Sequence, residues 1–462
     1  MDGERSLLSE KPEARTGGRS DLAPVLIGAF LFMTLLLGGG GRPAFVSETI
    51  AILLSLAIAA IWVILVREEK VASDPLMTAV AAIFVSLPIL HLIPLPQFLL
   101  DMRDVEATIS GSLAVADASG SMRPLTIDQG RTVAALLSIL PPLILWWMLR
   151  TQTLRDRLAF GAIVLLAVLC SALVAAVQVA SGGSIGHIYD THFGYASGLL
   201  ANRNSSADFY LIGLCILAVG YSHVKARRRH AKIALPFAAF GILLALATIL
   251  TGSRTGTVLL LVPAGLFLLL NYTALSRRQI LVASGILALG AIAVMLLASQ
   301  IPMIERTIAR FGLVQEGRYS LWEDARYAIG QVLPWGSGMG TGDIMMKWAE
   351  NLDSLDPPYP NRVHNDYMEF FLEAGWLAAA LLVGFALIAA VRLKSLLFSR
   401  DHDQKMAGFL ALGLLAIIAL HSIVDYPLRS ITLSMVAAFA ISLLSNSRDD
   451  GTRVVPRSKA SE

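Results

Sequence analysis

Charge is scarce in this chain. Only 15% of its 462 residues are Asp, Glu, Lys or Arg, against about a quarter in soluble domains. Hydrophobic residues make up 55%, and the mean hydropathy is +0.66. Such a chain cannot be an ordinary soluble domain, and its net charge of +3 says little about partners. Cysteine is nearly absent. Cys170 and Cys215 both lie in apolar runs, so neither a disulfide framework nor a thiolate metal site follows. No HExxH occurs, which removes the usual signal of zinc proteases. No A-x-A site follows the first apolar run, so a cleaved signal peptide is not expected. An internal repeat, common in transporters, is missing too.

What the chain has is apolar length. Runs of about 20 residues, each able to cross a roughly 30 Å hydrocarbon layer, recur from end to end. They predict an all-α polytopic membrane protein with twelve spans, at about 22–39, 46–66, 75–95, 130–149, 158–180, 205–221, 234–251, 257–272, 279–300, 374–392, 406–423 and 429–445. Residues 1–21 and 446–462 are then tails on one side of a single transmembrane domain, 22–445. Of the 37 Lys and Arg, 24 fall on the side of the tails, which makes that side cytoplasmic. "HVKARRRHAK" (223–232) is a topogenic anchor on the same side; it has no interleaved aromatic residues, and no nucleic-acid partner is expected.

Two long loops face outward. Loop 96–129 is polar and shows no readable chemistry. Loop 301–373 contains three Trp, and "SLWEDARYAIGQV" (320–332) predicts a helix. Ser320 and Glu323 fit a capping box, and Trp322, Ala325, Ile329 and Val332 form one apolar stripe. A second helix is predicted to start near Asn365 and to continue unbroken into the tenth span.

Polar residues that hydrocarbon should exclude gather toward the outer side. Asn202, Arg203 and Asn204 in "ANRNSSADF" (201–209) suit phosphate or sugar oxygens; alternatively, Asn204 or Ser205 caps the sixth span while Arg203 reaches lipid headgroups. "TGSRTGT" (251–257) holds Arg254 in a tight turn, without an acidic neighbour in sequence. Its counterpart is either a lipid phosphate or a substrate pyrophosphate. Arg318 and Arg326 share a face of the loop helix. "PWGSGMGTGD" (334–343), with Gly338 and Gly340, is either an anion nest or a plain glycine-rich turn. Asp366, Glu369 and Glu373 lie at i, i+3 and i+7 on one face. His364 sits just before them as a candidate base, with Asn365 or Asp366 to fix its tautomer or cap the helix. His421 and Asp425, at i and i+4, can pair between the last two spans.

"ANRNSSADF", "SRTG", "RYSLWEDA…LPWGSGMGTG" and "HNDYMEFFLEAGWLAA" resemble, in this order, the signature of the O-antigen ligase and O-antigen polymerase superfamily, over roughly residues 195–430. The resemblance implies a GT-C-like bacterial inner-membrane glycosyltransferase, inverting and metal-independent, with no cofactor. Its donor would be an undecaprenyl-pyrophosphate-linked glycan, and its acceptor a lipid A–core or a polysaccharide. Matched motif by motif, His364 activates the acceptor, and Arg254 and Arg318, with Arg203, hold the pyrophosphate. Asn202, Asn204, Arg326, Gly338, Gly340, Asn365, Asp366, Glu373 and Asp425 are supporting or substrate-binding positions. The same motifs occur in ligases, in repeat-unit polymerases for O-antigen or exopolysaccharide, and in protein O-oligosaccharyltransferases. A transporter or flippase for lipid-linked sugars is the rival of another class.

Overall fold

In the computed structural model, the described residues are 22–40, 45–66, 71–118, 120, 122–227, 233–272, 305, 318–351 and 362–447. They form helices α1 (Leu22–Leu37), α2 (Phe45–Leu65), α3 (Pro75–Leu92), α4 (Gln97–Leu100), α5 (Val105–Val115), α6 (Gln129–Leu149), α7 (Leu154–Ala159), α8 (Gly161–Ala180), α9 (Arg203–Arg227), α10 (Ala234–Leu250), α11 (Arg254–Leu259), α12 (Leu261–Asn271), α13 (Arg318–Val332), α14 (Gly342–Ala349), α15 (Asp366–Ala374), α16 (Trp376–Leu397), α17 (His402–His421) and α18 (Ile431–Leu444). Strands β1 (Pro94–Pro96) and β2 (Met122–Pro124) pair antiparallel, Leu95 facing Arg123.

Among the described residues, eight helices are long and apolar enough to cross a membrane: α2, α3, α6, α7–α8, α9, α11–α12, α16 and α17. Helices α1, α10 and α18 fall on three further predicted spans but are shorter, with 16, 17 and 14 residues. The predicted span 279–300 lies outside the described residues, as does much of loop 301–373.

Helix α9 is the hub of the bundle. In its apolar window 72% of the residues are buried, against 11% in α16, so α9 runs through the protein core and α16 presents most of its side chains outward. Small residues let α9 approach α8, α10, α12 and α17 closely. At one end of the bundle, called here the basic end, arginines tie loops together. Arg157 is fully buried and donates to the carbonyls of Leu149, Ser442, Ser445 and Asn446 at 2.7–3.0 Å. Arg392 pairs with Asp74 at 3.0 Å.

The opposite end carries a small cap with its own apolar core, built from Val105 of α5, Ala325, Ala328 and Val332 of α13, Met345 and Met346 of α14, and Leu372 of α15. The predicted stripe of α13 therefore does face a core. Loop 96–129 is part of this cap: buried Arg103 donates to the carbonyls of Leu125 and Gly336, each at 2.8 Å, and pairs with Glu106. Two expectations need correction. Helix α13 starts at Arg318, so Ser320 lies inside the first turn rather than at a cap, and Glu323 faces outward 4.0 Å from Arg326. Helices α15 and α16 are also not continuous. Gly375 has φ +58°, and a Cβ there would collide with the Pro334 carbonyl, so the chain turns sharply between them.

Candidate active site

The site is built where α15 starts. The Asn365 side chain accepts the Met368 N–H at 3.0 Å and so caps the helix. His364, one residue earlier, has φ +53°, a left-handed conformation that is uncommon outside glycine. The turn after α17 holds it there: the Asp366 N–H donates to the carbonyls of Ser422 at 3.0 Å and Asp425 at 3.1 Å. The Asp425 carboxylate is buried, and its Oδ1 lies 3.1 Å from His364 Nδ1. An ionised carboxylate only accepts, so we assign the imidazole proton to Nδ1, which leaves the Nε2 lone pair as a base. The Tyr426 ring packs against the imidazole at 5.0 Å between centroids. The His364 side chain remains 27% exposed, open to an incoming hydroxyl.

Asp366, Glu369 and Glu373 do share one face, and their counter-ions are two arginines. Arg429 lies 3.0 Å from Glu373, 3.5 Å from Asp366 and 3.6 Å from Glu369, while Arg362 lies 2.7 Å from Glu369. Burial pushes the Asp366 carboxyl up to about 7, against the pull of Arg429. Burial also raises Glu369, but Arg429 and Arg362 outweigh it and hold that carboxyl below its usual range. Burial works against protonated Arg429, and Glu369, Glu373 and Asp366 together overcome it and raise its pKa. This knot fastens α15 to the segment before α18; Glu373 also accepts the Gly342 N–H at 3.2 Å. It leaves Asp366 and Glu373 as supports beneath His364.

The glycine segment does not form the anion nest. The N–H groups of Ser337 and Gly338 donate to the carbonyls of Leu372 and Glu373, that of Met339 to His91 Nδ1, and that of Thr341 to the Gly338 carbonyl. With Gly342 on Glu373, these amides are all committed within the protein. Gly338 and Gly340 serve close packing: a Cβ on either would run into Thr126 or the Arg131 carbonyl.

A cationic site lies at the start of α9. Asn202, not Asn204 or Ser205, caps the helix, accepting the Asn204 N–H at 2.9 Å. Arg203 follows, 8% exposed, with its guanidinium stacked 4.4 Å from the Tyr195 ring centroid. Its Nε and Nη1 are buried and have no hydrogen-bond partner among the described residues. A Cβ on Gly252 would come within 3.6 Å of Arg203 Nη1, so the turn leading to Arg254 packs directly beside it. Arg254 opens α11, which Ser253 caps by accepting the Gly256 N–H at 3.1 Å. Two arginines thus occupy the first positions of two adjoining helices, where the helix dipoles also favour an anion. Arg318 opens α13, and its side chain lies outside the described residues. Arg326 is exposed on the cap and is not part of this cluster.

One predicted pairing is replaced by two others. His421 does not bond Asp425 through side chains. His421 Nδ1 lies 2.5 Å from Asp208 Oδ1 on α9, and Asp425 turns to His364. Asp208 is five residues beyond Arg203, about 7.5 Å along the helix. The Asp208–His421 contact therefore brings the arginine-bearing end of α9 beside the histidine site. Sequence reasoning did not single out Asp208, Arg362, Arg429 or Tyr426. A signal existed for Asp208, a lone acid entering an apolar span, and for Arg429, an arginine just before the last apolar run.

Residues 239–383 match a family model described as O-antigen ligase. This likeness supports the O-antigen ligase/polymerase superfamily. The match takes in Arg254, the glycine segment, His364 and all three carboxylates of α15; Arg203, Asp208, Asp425 and Arg429 lie outside it. No curated protein matches the chain. Family and helices together support a multi-pass membrane protein of the O-antigen ligase/polymerase type.

Proposed function

We propose that the protein transfers a glycan from undecaprenyl pyrophosphate to an acceptor hydroxyl at the outer face of a bacterial inner membrane. The acceptor oxygen attacks the anomeric carbon and gives its proton to His364 Nε2. The bond from that carbon to the pyrophosphate oxygen breaks on the opposite face, so the configuration inverts. Asp425 orients His364 and stabilises the imidazolium that forms, as a carboxylate behind a catalytic histidine does generally. Arg203 and Arg254 receive the charge that develops on the departing pyrophosphate, with Arg318 as a third candidate. The observation that carries this reading is the buried guanidinium of Arg203, whose Nε and Nη1 have no hydrogen-bond partner among the described residues, on the helix whose Asp208 bonds His421 just before the turn holding Asp425. A buried cation without a counter-ion is costly unless an anion binds there.

The test uses purified protein, undecaprenyl-pyrophosphate glycan and each acceptor class in turn: lipid A–core, a second lipid-linked repeat, and a protein hydroxyl. Product on the first acceptor alone supports a ligase, and product on the second a polymerase. Movement of intact donor across a liposome bilayer, without transfer to any acceptor, would refute the proposal in favour of a flippase.

A further inference from the structure

A second cluster of titratable side chains sits at the basic end, far along α9 and α17 from His364. His223 of α9 and His402 and Asp403 of α17 offer ligand atoms that all lie within 4.8 Å of one another. His223 Nδ1 is 3.8 Å from Asp403 Oδ1, and the two imidazoles are 5.3 Å apart between centroids. We propose that these three residues bind one divalent transition-metal ion of the zinc type, clamping α9 to α17.

Two physical points support this. First, the donor set suits such an ion: two imidazole nitrogens and one carboxylate oxygen, with a position left for water. Second, the spacing is close to what coordination needs. The centre of a triangle with 4.8 Å sides lies about 2.8 Å from each corner, against metal–ligand distances of about 2.0–2.2 Å. Modest side-chain rotation closes that gap, and none of the three side chains is locked in a core: His402 is exposed, and His223 and Asp403 are each 25% exposed. Asp401 is not needed as a ligand; its carboxylate caps α17 by accepting the Gln404 N–H at 3.1 Å.

The clamp joins the two helices that meet again near their other ends through Asp208 and His421. Binding would hold α9 and α17 in one register without touching the residues proposed for transfer.

The experiment takes the full chain, purified without a polyhistidine tag, stripped with EDTA and dialysed. Zn²⁺ is titrated by calorimetry, and thermal unfolding is followed with and without the metal. One equivalent bound at micromolar affinity or tighter, with a rise in Tm, is the expected result. His402→Asn and His223→Asn should each weaken binding at least tenfold and abolish the rise in Tm, while leaving the Tm of the stripped protein unchanged. Since His402 is exposed, its variant tests the idea even if His223→Asn folds poorly. Co²⁺ should give the visible absorption of a nitrogen- and oxygen-ligated site in the wild type and lose it in both variants. An absence of stoichiometric Zn²⁺ binding, or the same binding in the two variants, overturns the proposal.

Discussion

In the proposed reaction, Asp425 decides which nitrogen of His364 is the base. Asp425→Asn keeps the size of the side chain but allows an amide N–H to face Nδ1, which favours the wrong tautomer. The transfer rate is expected to fall by about 10²–10⁴-fold while donor affinity holds; single-turnover transfer beside a donor titration separates the two. Loss of donor affinity with an unchanged rate would remove Asp425 from this role. Arg203 has the opposite profile. Arg203→Met removes a buried charge whose Nε and Nη1 have no hydrogen-bond partner among the described residues and keeps an apolar side chain against Tyr195, so thermal stability should stay level or rise, whereas donor use should drop through KM. A large fall in Tm would show that the guanidinium holds the fold together instead. The spacing that paired His421 with Asp425 in the sequence failed for a local reason. The i, i+4 rule needs a helix, and α17 ends at His421, so Asp425 lies on a turn that points it at His364. His364 itself was legible, as a histidine placed just before a carboxylate-bearing helix.

Among the elements, α15 carries the most readable chemistry. Its three carboxylates were visible as one face, but their counter-ions were not, since Arg429 lies 56 residues from Glu373 in the chain. The proton on Asp366 has a testable consequence. Its folded pKa, about 7, lies above the usual carboxylate value of 3.8. The folded state therefore holds that proton more tightly than the unfolded one, and this contribution to stability is lost as pH rises from about 4 to 7. Glu369 shifts the other way and acts below about 4.5. Asp366→Asn should accordingly match the wild type most closely near pH 3 and exceed it in Tm near pH 8; a difference that does not change with pH would refute the assignment. The junction of α15 and α16 was misread because periodicity continues through Gly375 while φ does not. Gly375→Ala meets both a left-handed backbone and the Pro334 carbonyl, and should lower stability by more than the roughly 1 kcal/mol of an ordinary glycine replacement. Thermal unfolding in detergent measures it.

For the whole molecule, apolar run length was enough to place eleven of the predicted spans on helices of the described residues, because a membrane demands closed backbone hydrogen bonding in each crossing. What run length cannot give is which helices touch: the Arg254 turn lies beside Arg203 because α11 packs on α9, and Asp208 reaches His421 because α17 does. Sidedness is the remaining expectation, and it rests on the asymmetry of Lys and Arg. With Cys170 and Cys215 replaced by Ala, Thr108→Cys on the cap and Arg400→Cys at the basic end give two exposed reporters. In cells with a permeabilised outer membrane, an impermeant maleimide should label position 108 at once and position 400 only after lysis. The reverse pattern would put His364 and the arginine pair in the cytoplasm. Undecaprenyl-linked glycans presented on the outer leaflet could not then reach them, and the transfer reaction proposed here would have no donor.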